Sequence, residues 1–389
     1  MQNRLPTPIP TSPGLTSKTN PADPRPDRLS GGPNVQVAPA ARSEGSPYLV
    51  DPDRLDQVVG ADEPPYRSNQ LQEWLYRHPV LHAREMTNLP GGLRRALSHR
   101  LWPFEVEEHQ SADRGATHKW LFRTGDGAAI ESVVMGYRTR TTLCVSSQAG
   151  CALACTFCAT GQFGFERHLQ AGEIVAQVAY ANAFLREHPL RSSPPRVTNV
   201  VFMGMGEPLA NYPRVRSAIG LMIGEMGMSA RSLTVSTVGV VPGIRRLADD
   251  PWPVNLAVSL HAADDELRSL LVPLNRRYPL SEIEAAASYF FEKKGRRVSL
   301  EWTMIRGVND HRSQADRLAV IARRLRAHVN LIALNPTPLS SDMPSTPQAI
   351  GRFAAALRHG GVNVTVRSTR GTEIDAACGQ LRVRSSRGS

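Results

Sequence analysis

The sequence predicts an α/β protein built on a parallel sheet, open or closed into a barrel. Three observations lead there. Six short β-rich runs follow one another from Thr141 to Asn335, most of them succeeded by helical apolar spacing. Unusual polar residues fall at the carboxyl ends of those runs, where a parallel sheet places its site. The chain has 389 residues, 41% of them hydrophobic, which is enough for one large domain with appendages or for two domains.

The elements follow in order. Residues 1–46 are rich in Pro, Ser, Gly and Asn and lack apolar periodicity, so a disordered tail is expected. A small helical domain is expected over 47–110. It has Leu71, Trp74 and Leu75 at helical spacing, and Asn88 near a helix start followed by Pro90. Leu93, Leu97 and Leu101 form a second stripe. Arg94, Arg95 and Arg100 beside it make either an ordinary solvated face or a nucleic-acid surface. The runs "HKWLFRT" and "AAIESVVMGY" around "GDG" read as a β-hairpin, placed as a linker over 111–136. The parallel core is expected over 137–373. Its strands are "TTLCVSS", "VTNVVFMGM", "LTVSTVGVV", "VNLAVSL", "RVSLEWTMI" and "HVNLIALN", with a seventh, "VNVTVRS", after the last helix. A C-terminal segment, 374–389, completes the chain.

Composition narrows the function. A net charge of +11 favours a polyanionic partner such as nucleic acid, although basicity alone is weak support. No apolar run approaches the ~18–20 residues of a membrane span, and the N-terminus carries no apolar signal core. The five cysteines are odd in number and three are clustered. That pattern fits a reducing cytoplasm and a metal or catalytic role better than a disulfide framework.

Cys151, Cys155 and Cys158 follow the first parallel strand with C-x3-C-x2-C spacing. Thiolates so spaced can converge on one metal centre from a single loop. Structural zinc wants four ligands, commonly as two separated pairs. No second C-x2-C is present, and His168 lies ten residues past Cys158. A cubane iron–sulfur cluster has four irons, each normally held by one cysteine. Three cysteines leave one iron open for a substrate or cofactor. Iron–sulfur is the favoured reading, with zinc and buried structural thiols as alternatives.

With that loop after the first barrel strand, the chain resembles the radical S-adenosylmethionine (SAM) superfamily. The resemblance implies a partial (β/α)6 barrel, a [4Fe–4S] cluster on Cys151, Cys155 and Cys158, and SAM on the open iron. The stretches "TLCVSSQAGCALACTFCATGQFGFERHL", "VVFMGMGEPLAN", "STVGVVPGI", "SLHAADDELRSLLVP", "GVND", "LNPTP" and "RGTEIDAACGQL" together resemble the RlmN family, from about Tyr48 to Leu381. That family methylates carbon-2 of adenosine in 23S ribosomal RNA near the peptidyl-transferase centre, and of the adenosine 3′ of the anticodon in some tRNAs. Cfr-type relatives methylate carbon-8 of the same ribosomal adenosine. "GEP" and "RSTRG" favour RlmN.

The resemblance assigns roles residue by residue. Cys378 matches the cysteine methylated by a first SAM, and a second SAM is cleaved to a radical. Cys144 matches the thiol that resolves the RNA adduct through a transient disulfide with Cys378. Glu131 matches the proton acceptor, and its apolar strand setting would raise its pKa toward a useful base. Gly206, Glu207, Ser236, Ser259, Leu260, His261 and Asn335 match SAM contacts, with Glu207 suited to accept from the ammonium group. The implied partners are 23S rRNA before full ribosome assembly, tRNA and an electron donor, for a cytoplasmic monomer with no membrane partner.

Overall fold

The computed structural model describes residues 45–337, 340–367 and 370–381. Its strands are β1 (Phe104–Ala112), β2 (Thr117–Thr124), β3 (Ala129–Tyr137), β4 (Arg140–Cys144), β5 (Gln148–Gly150), β6 (Phe165–His168), β7 (Asn199–Phe202), β8 (Leu233–Thr237), β9 (Asn255–Ser259), β10 (Ser299–Met304), β11 (His328–Ala333) and β12 (Asn363–Val366). Ten of them form one sheet in the order β1-β2-β3-β4-β7-β8-β9-β10-β11-β12, and β5 pairs with β6 apart from it. The seven strands β4, β7, β8, β9, β10, β11 and β12 are parallel to one another, and β4 meets β3 antiparallel. They coincide with the six expected strands and the seventh. β1 and β12 remain as edges, so the barrel is partial.

The parallel strands need crossovers, and helices supply them. Ala171–Glu187, Tyr212–Gly224, Val241–Asp249, Leu280–Lys294, Arg312–Arg324 and Pro347–His359 alternate with the strands. Ala171–Glu187 is buried on nearly every side, from Ile174 and Val175 to Phe184 and Leu185. A helix apolar all round needs cover on its outer face too. The N-terminal module supplies part of it. Its Pro47–Leu49 turn comes so close that a Cβ on Gly172 would lie 1.8 Å from the Tyr48 carbonyl oxygen. Tyr48 also donates its hydroxyl to the Leu75 carbonyl at 2.8 Å. At the module's far side, Arg77 donates to the Gly224 carbonyl at 2.9 Å.

The module keeps its two leucine stripes. Leu71, Leu75, Leu93, Leu97 and Leu101 are all buried. Its arginines divide: Arg94 donates to the Arg84 carbonyl and Arg100 to those of Gly45 and Val58, whereas Arg95 is exposed. The helix there runs Gly91–Leu97 with Pro90 as its N-cap, and Asn88 instead accepts from the Trp74 indole. The helical pattern stops earlier than expected. β1 occupies residues assigned to the helical domain up to 110, and the expected hairpin is the inner part of a three-stranded antiparallel extension. Charge hid β1 from the sequence. Glu105, Glu107 and Glu108 blur its alternation, a bulge breaks its register between Val106 and Glu108, and such devices are typical of a sheet edge.

The expected tail lies outside the described residues up to position 44. Ser46 is buried, with its Oγ donating to the Leu101 carbonyl at 3.0 Å. Of the C-terminal segment, residues 382–389 also lie outside the described residues.

The Gly172 contact gives a stability test. Gly172→Ala forces the Pro47–Leu49 turn off the helix and is expected to cost about 1–3 kcal/mol. Gly92→Ala has nothing within 4 Å of the new Cβ and is expected to be neutral or slightly stabilising. Chemical denaturation of both variants checks this.

Candidate active site

The parallel sheet brings its polar ends together at one mouth. A cavity there has an empty volume of about 920 Å³, its opening included. Its wall includes Cys151, Cys155 and Cys158, Gly206 and Glu207, Ser236, Ser259 and His261, Asn335 and Cys378. Ten of the thirteen residues singled out in the sequence therefore share one cavity. Leu260 does not: its side chain is buried in the core. Only its main chain serves the region, with its carbonyl accepting from Arg268 at 3.0 Å. Cys144 and Glu131 lie behind the wall on β4 and β3.

The cysteine loop is held by backbone bonds to its neighbours. The Cys151 amide donates to Gly164 at 2.7 Å and the Thr156 amide to Leu271 at 3.2 Å. Cys155 is buried, and Cys151 and Cys158 are half-buried. Burial pushes the Cys151 thiol up to about 12, with the Cys158 and Glu207 charges adding to the rise. Cys155 is raised well above the ordinary range by burial and by both neighbouring thiolates. Three crowded thiols exist as thiolates only around a cationic centre. Three thiols from one loop, facing one cavity and near enough to act on each other's charge, fit a cluster with a corner for each.

Glu207 ends the loop after β7. Its Oε2 accepts from the Val238 amide and its Oε1 from the Leu209 amide, each at 3.0 Å. Its own amide donates to Gln148 Oε1 at 2.7 Å. Burial raises its carboxyl to about 7 against the pull of those amides. His261 is also buried. Its Nδ1 accepts from the Thr303 amide at 3.0 Å, and its ring meets Phe157 at 4.4 Å. Burial, helped by the Arg268 charge, lowers its pKa to about 3. The imidazole is therefore neutral and offers Nε2–H as a donor.

Arg268 was missed, although it stands inside the quoted "SLHAADDELRSLLVP". It is fully buried. Its guanidinium donates to the carbonyls of Leu260, Ser259 and Val238 and to Asn275 Oδ1. It thus ties the ends of β8 and β9 together with a rigid fork of donors. An arginine on an amphipathic helix reads as a surface charge, so the sequence carried no signal for this. Glu301, also missed, lines the cavity from β10. Its Oε1 accepts from Asn330 at 2.8 Å, and its Oε2 lies 3.5 Å from Arg367 Nη1.

Two more thiols complete the region. Asn335 Nδ2 donates to the Cys378 carbonyl at 2.9 Å. Cys378 is open to the mouth on one side yet crowded by protein on the others. That desolvation raises its thiol pKa, and the Arg367 charge pulls it back. Cys144 is buried and pushed well above the ordinary thiol range, first by burial and then by the Cys378 charge. Cys144 pairs with Val133, two residues from Glu131 on β3, so Glu131 and Cys144 share one face of the sheet. The expected apolar setting of Glu131 is corrected. Glu131 is buried, but Lys119 Nζ stands 3.0 Å from its Oε1.

A family model described as the Radical SAM superfamily matches residues 145–319. Another, described as the Ribosomal RNA large subunit methyltransferase N-terminal domain, matches residues 53–102. A Salinispora tropica protein named a probable dual-specificity RNA methyltransferase RlmN is 48% identical over 355 residues, covering 88% of this chain and 95% of its own. A Frankia alni protein of the same name is 49% identical over 338 residues, covering 85% of this chain and 80% of its own. A radical SAM methyltransferase structure from Sphaerobacter thermophilus matches with a TM-score of 0.81 at 47% identity, covering 87% of this chain and 99% of that one.

Fold and cysteine loop thus define a radical SAM enzyme, with a [4Fe–4S] cluster and SAM as its cofactors. Zinc and structural thiols fall away as alternatives. The chain belongs to the RlmN family of dual-specificity RNA methyltransferases, and the RlmN type is favoured over the Cfr type. No helix among the described residues is long and apolar enough to cross a membrane.

His261 yields a pH prediction. Its folded pKa of about 3 lies below the ordinary 6.5. Its contribution to stability is therefore complete above pH 6.5 and is lost progressively as pH falls from there toward 3. His261→Gln is expected to flatten the stability–pH curve across that window, as read by denaturant midpoints. An unchanged slope refutes the buried neutral imidazole.

Proposed function

We propose that the protein methylates carbon-2 of one adenosine in 23S rRNA near the peptidyl-transferase centre, and of the adenosine 3′ of the anticodon in some tRNAs. One observation carries the reading. Cys378 lies in the same cavity wall as the three loop cysteines, with Cys144 near enough behind it for their charges to interact. Cluster ligation alone gives that second pair of thiols no purpose. Regiochemistry and target follow the family resemblance.

Cys151, Cys155 and Cys158 would hold the cluster. Gly206, Glu207, Ser236, Ser259, His261 and Asn335 would line the SAM space, with Leu260 contributing main chain. When bound, these groups supply the methyl carbon and a 5′-deoxyadenosyl radical, two SAM molecules being used per turnover. Cys378 carries the methyl carbon on its sulfur; with one hydrogen atom taken from it by the radical, that carbon would bond to the adenine ring, which would then give up one electron to the cofactor and its own hydrogen as a proton. Glu131 takes the proton that leaves the ring carbon, its carboxylate oriented by Lys119. Cys144, as a thiolate, attacks the Cys378 sulfur; an S–S bond forms as the S–C bond to the base breaks, and the released carbon keeps that electron pair and takes a proton to become the methyl group. An external electron donor then reduces that disulfide. An adenine ring carbon is a poor nucleophile, which is why a radical route is needed. The base must leave its stack to reach the cavity, so RNA not yet locked into a finished ribosome is the natural substrate.

The test uses RNA lacking the modification and the anaerobically reconstituted enzyme. Nucleoside mass spectrometry is expected to find 2-methyladenosine with wild type and none with Cys378→Ala; an 8-methyl product overturns the regiochemistry. Cys144→Ala removes the resolving thiol. It is expected to accumulate a covalent protein–RNA species, seen as a band that survives denaturing electrophoresis. Normal turnover without that band removes Cys144 from the mechanism.

A further inference from the structure

Two phenylalanines follow the last cluster cysteine and stand in water. Phe163 is 54% exposed and Phe165 is 44% exposed. The other eight of the ten phenylalanines are buried or half-buried. Leaving two large rings exposed, two residues apart, forgoes apolar burial that the fold uses everywhere else. Packing does not explain them.

Their mounting is rigid. Gly164 between them lies at φ +87, and its carbonyl accepts from the Cys151 amide at 2.7 Å. A Cβ on Gly150 would lie 2.1 Å from that same oxygen, so the β5–β6 hairpin closes only over glycine. The Phe163 amide donates to Ala159 at 3.2 Å. Phe165 meets the His168 ring edge-on at 5.2 Å. His168 Nδ1 accepts from Gln148 Nε2 at 3.0 Å, and Gln148 Oε1 accepts from the Glu207 amide at 2.7 Å. Phe165 is thus tied, through one histidine and one glutamine, to Glu207 in the cavity wall, and Phe163 is held two residues away by its backbone.

We infer that Phe163 and Phe165 form a stacking platform for unpaired bases of the RNA substrate next to the target adenosine. The inference rests on RNA as the substrate and extends it to how the strand is gripped. A base drawn into the cavity leaves its neighbours with bare faces, and aromatic side chains are the usual partners for such bases. One cation beside the rings, Arg214, is left to meet a phosphate, which an apolar protein partner would not engage. Arg214 is exposed, forms no salt bridge among the described residues, and acts electrostatically on His168. Arg167 is occupied by Glu173 and Asp126. Glu166, exposed on the same strand, lies near the Arg123 charge. The whole chain carries +11. Platform and cation together suit a base and its phosphate.

The experiment separates this inference from the reading beneath it. Methylation of the Cys378 sulfur needs SAM and the cluster but no RNA, and peptide mass spectrometry reads it directly. The double variant Phe163→Ala/Phe165→Ala is expected to keep that methylation within about twofold. Its KM and Kd for RNA are expected to rise roughly tenfold for each ring removed. Phe163→Leu/Phe165→Leu, which keeps the apolar bulk, is expected to behave like the alanine variant, and Phe165→Trp to bind RNA at least as well as wild type. Unchanged RNA binding in the alanine variant, or full activity with leucines, overturns the platform. Parallel loss of Cys378 methylation also overturns it, by making the hairpin a structural support of the cavity. Absence of RNA binding by the wild type is a different result and fails the substrate reading itself.

Discussion

The Ala159 amide donates to the Gly379 carbonyl at 2.8 Å, and the Thr160 hydroxyl to the Leu381 carbonyl at 2.6 Å. These bonds join the helix that ends the cysteine loop to the far end of the chain. The site depends on that junction. Without it, Cys378 would hang on a short segment beyond β12, held at the cavity by Asn335, which donates to its carbonyl, and by Gln380, which donates to the Pro336 carbonyl. The segment is also pinned at its start. Arg370 donates to the Gly136 carbonyl at 2.8 Å and stacks on Tyr137, which Arg140 also covers. The Gly371 amide donates to Asp113. The segment after β12 therefore reaches the antiparallel extension, which also carries Glu131.

Buried charge follows a single rule through this region. An ion taken out of water needs partners of fixed geometry. Arg268 has four acceptors from three loops, Glu131 has Lys119, and Glu301 has Asn330 and Arg367. Each of these contacts crosses from one strand or loop to another. The polar groups that surround the chemistry are thus also the fastenings that keep the sheet ends in register. Lys119 illustrates the overlap, since its Nζ also reaches the Asp375 carbonyl at 3.5 Å, on the Cys378 segment.

Much of this was legible in the chain and some was not. The parallel strands β4 and β7 to β11 were readable because largely buried strands are dense in Val, Ile and Leu, and the exposed edge strand β12 by its valine alternation. The cavity residues were readable because a parallel sheet delivers the loops after its strands to one end. β1 was not, since its glutamates suit an edge and imitate a solvated helix. The small β5–β6 hairpin was hidden for another reason: its strands are three and four residues long and depend on a glycine-to-backbone contact. Leu260 was placed with the cofactor contacts by motif alone, whereas alternation along the chain turns its side chain into the core. Of "RSTRG", Arg367 and Arg370 acquire partners, and Ser368 and Thr369 lie outside the described residues.

The sequence by itself determined the class of chemistry. C-x3-C-x2-C sets three thiols on one loop whatever the rest of the chain does, because that spacing is local. It also determined the order of the parallel strands and their helices, which hydrophobic period encodes. Tertiary structure alone decided what meets at the mouth. Cys378 lies 220 or more residues from the cluster loop in sequence, and long-range hydrogen bonds, with the burial of Ala376, Ala377 and Leu381 beside it, bring it to the cavity wall. Only packing could make a helix-surface arginine, Arg268, the buried tie between two strand ends. Its neighbours in space are set by long-range burial and not by its neighbours in the chain.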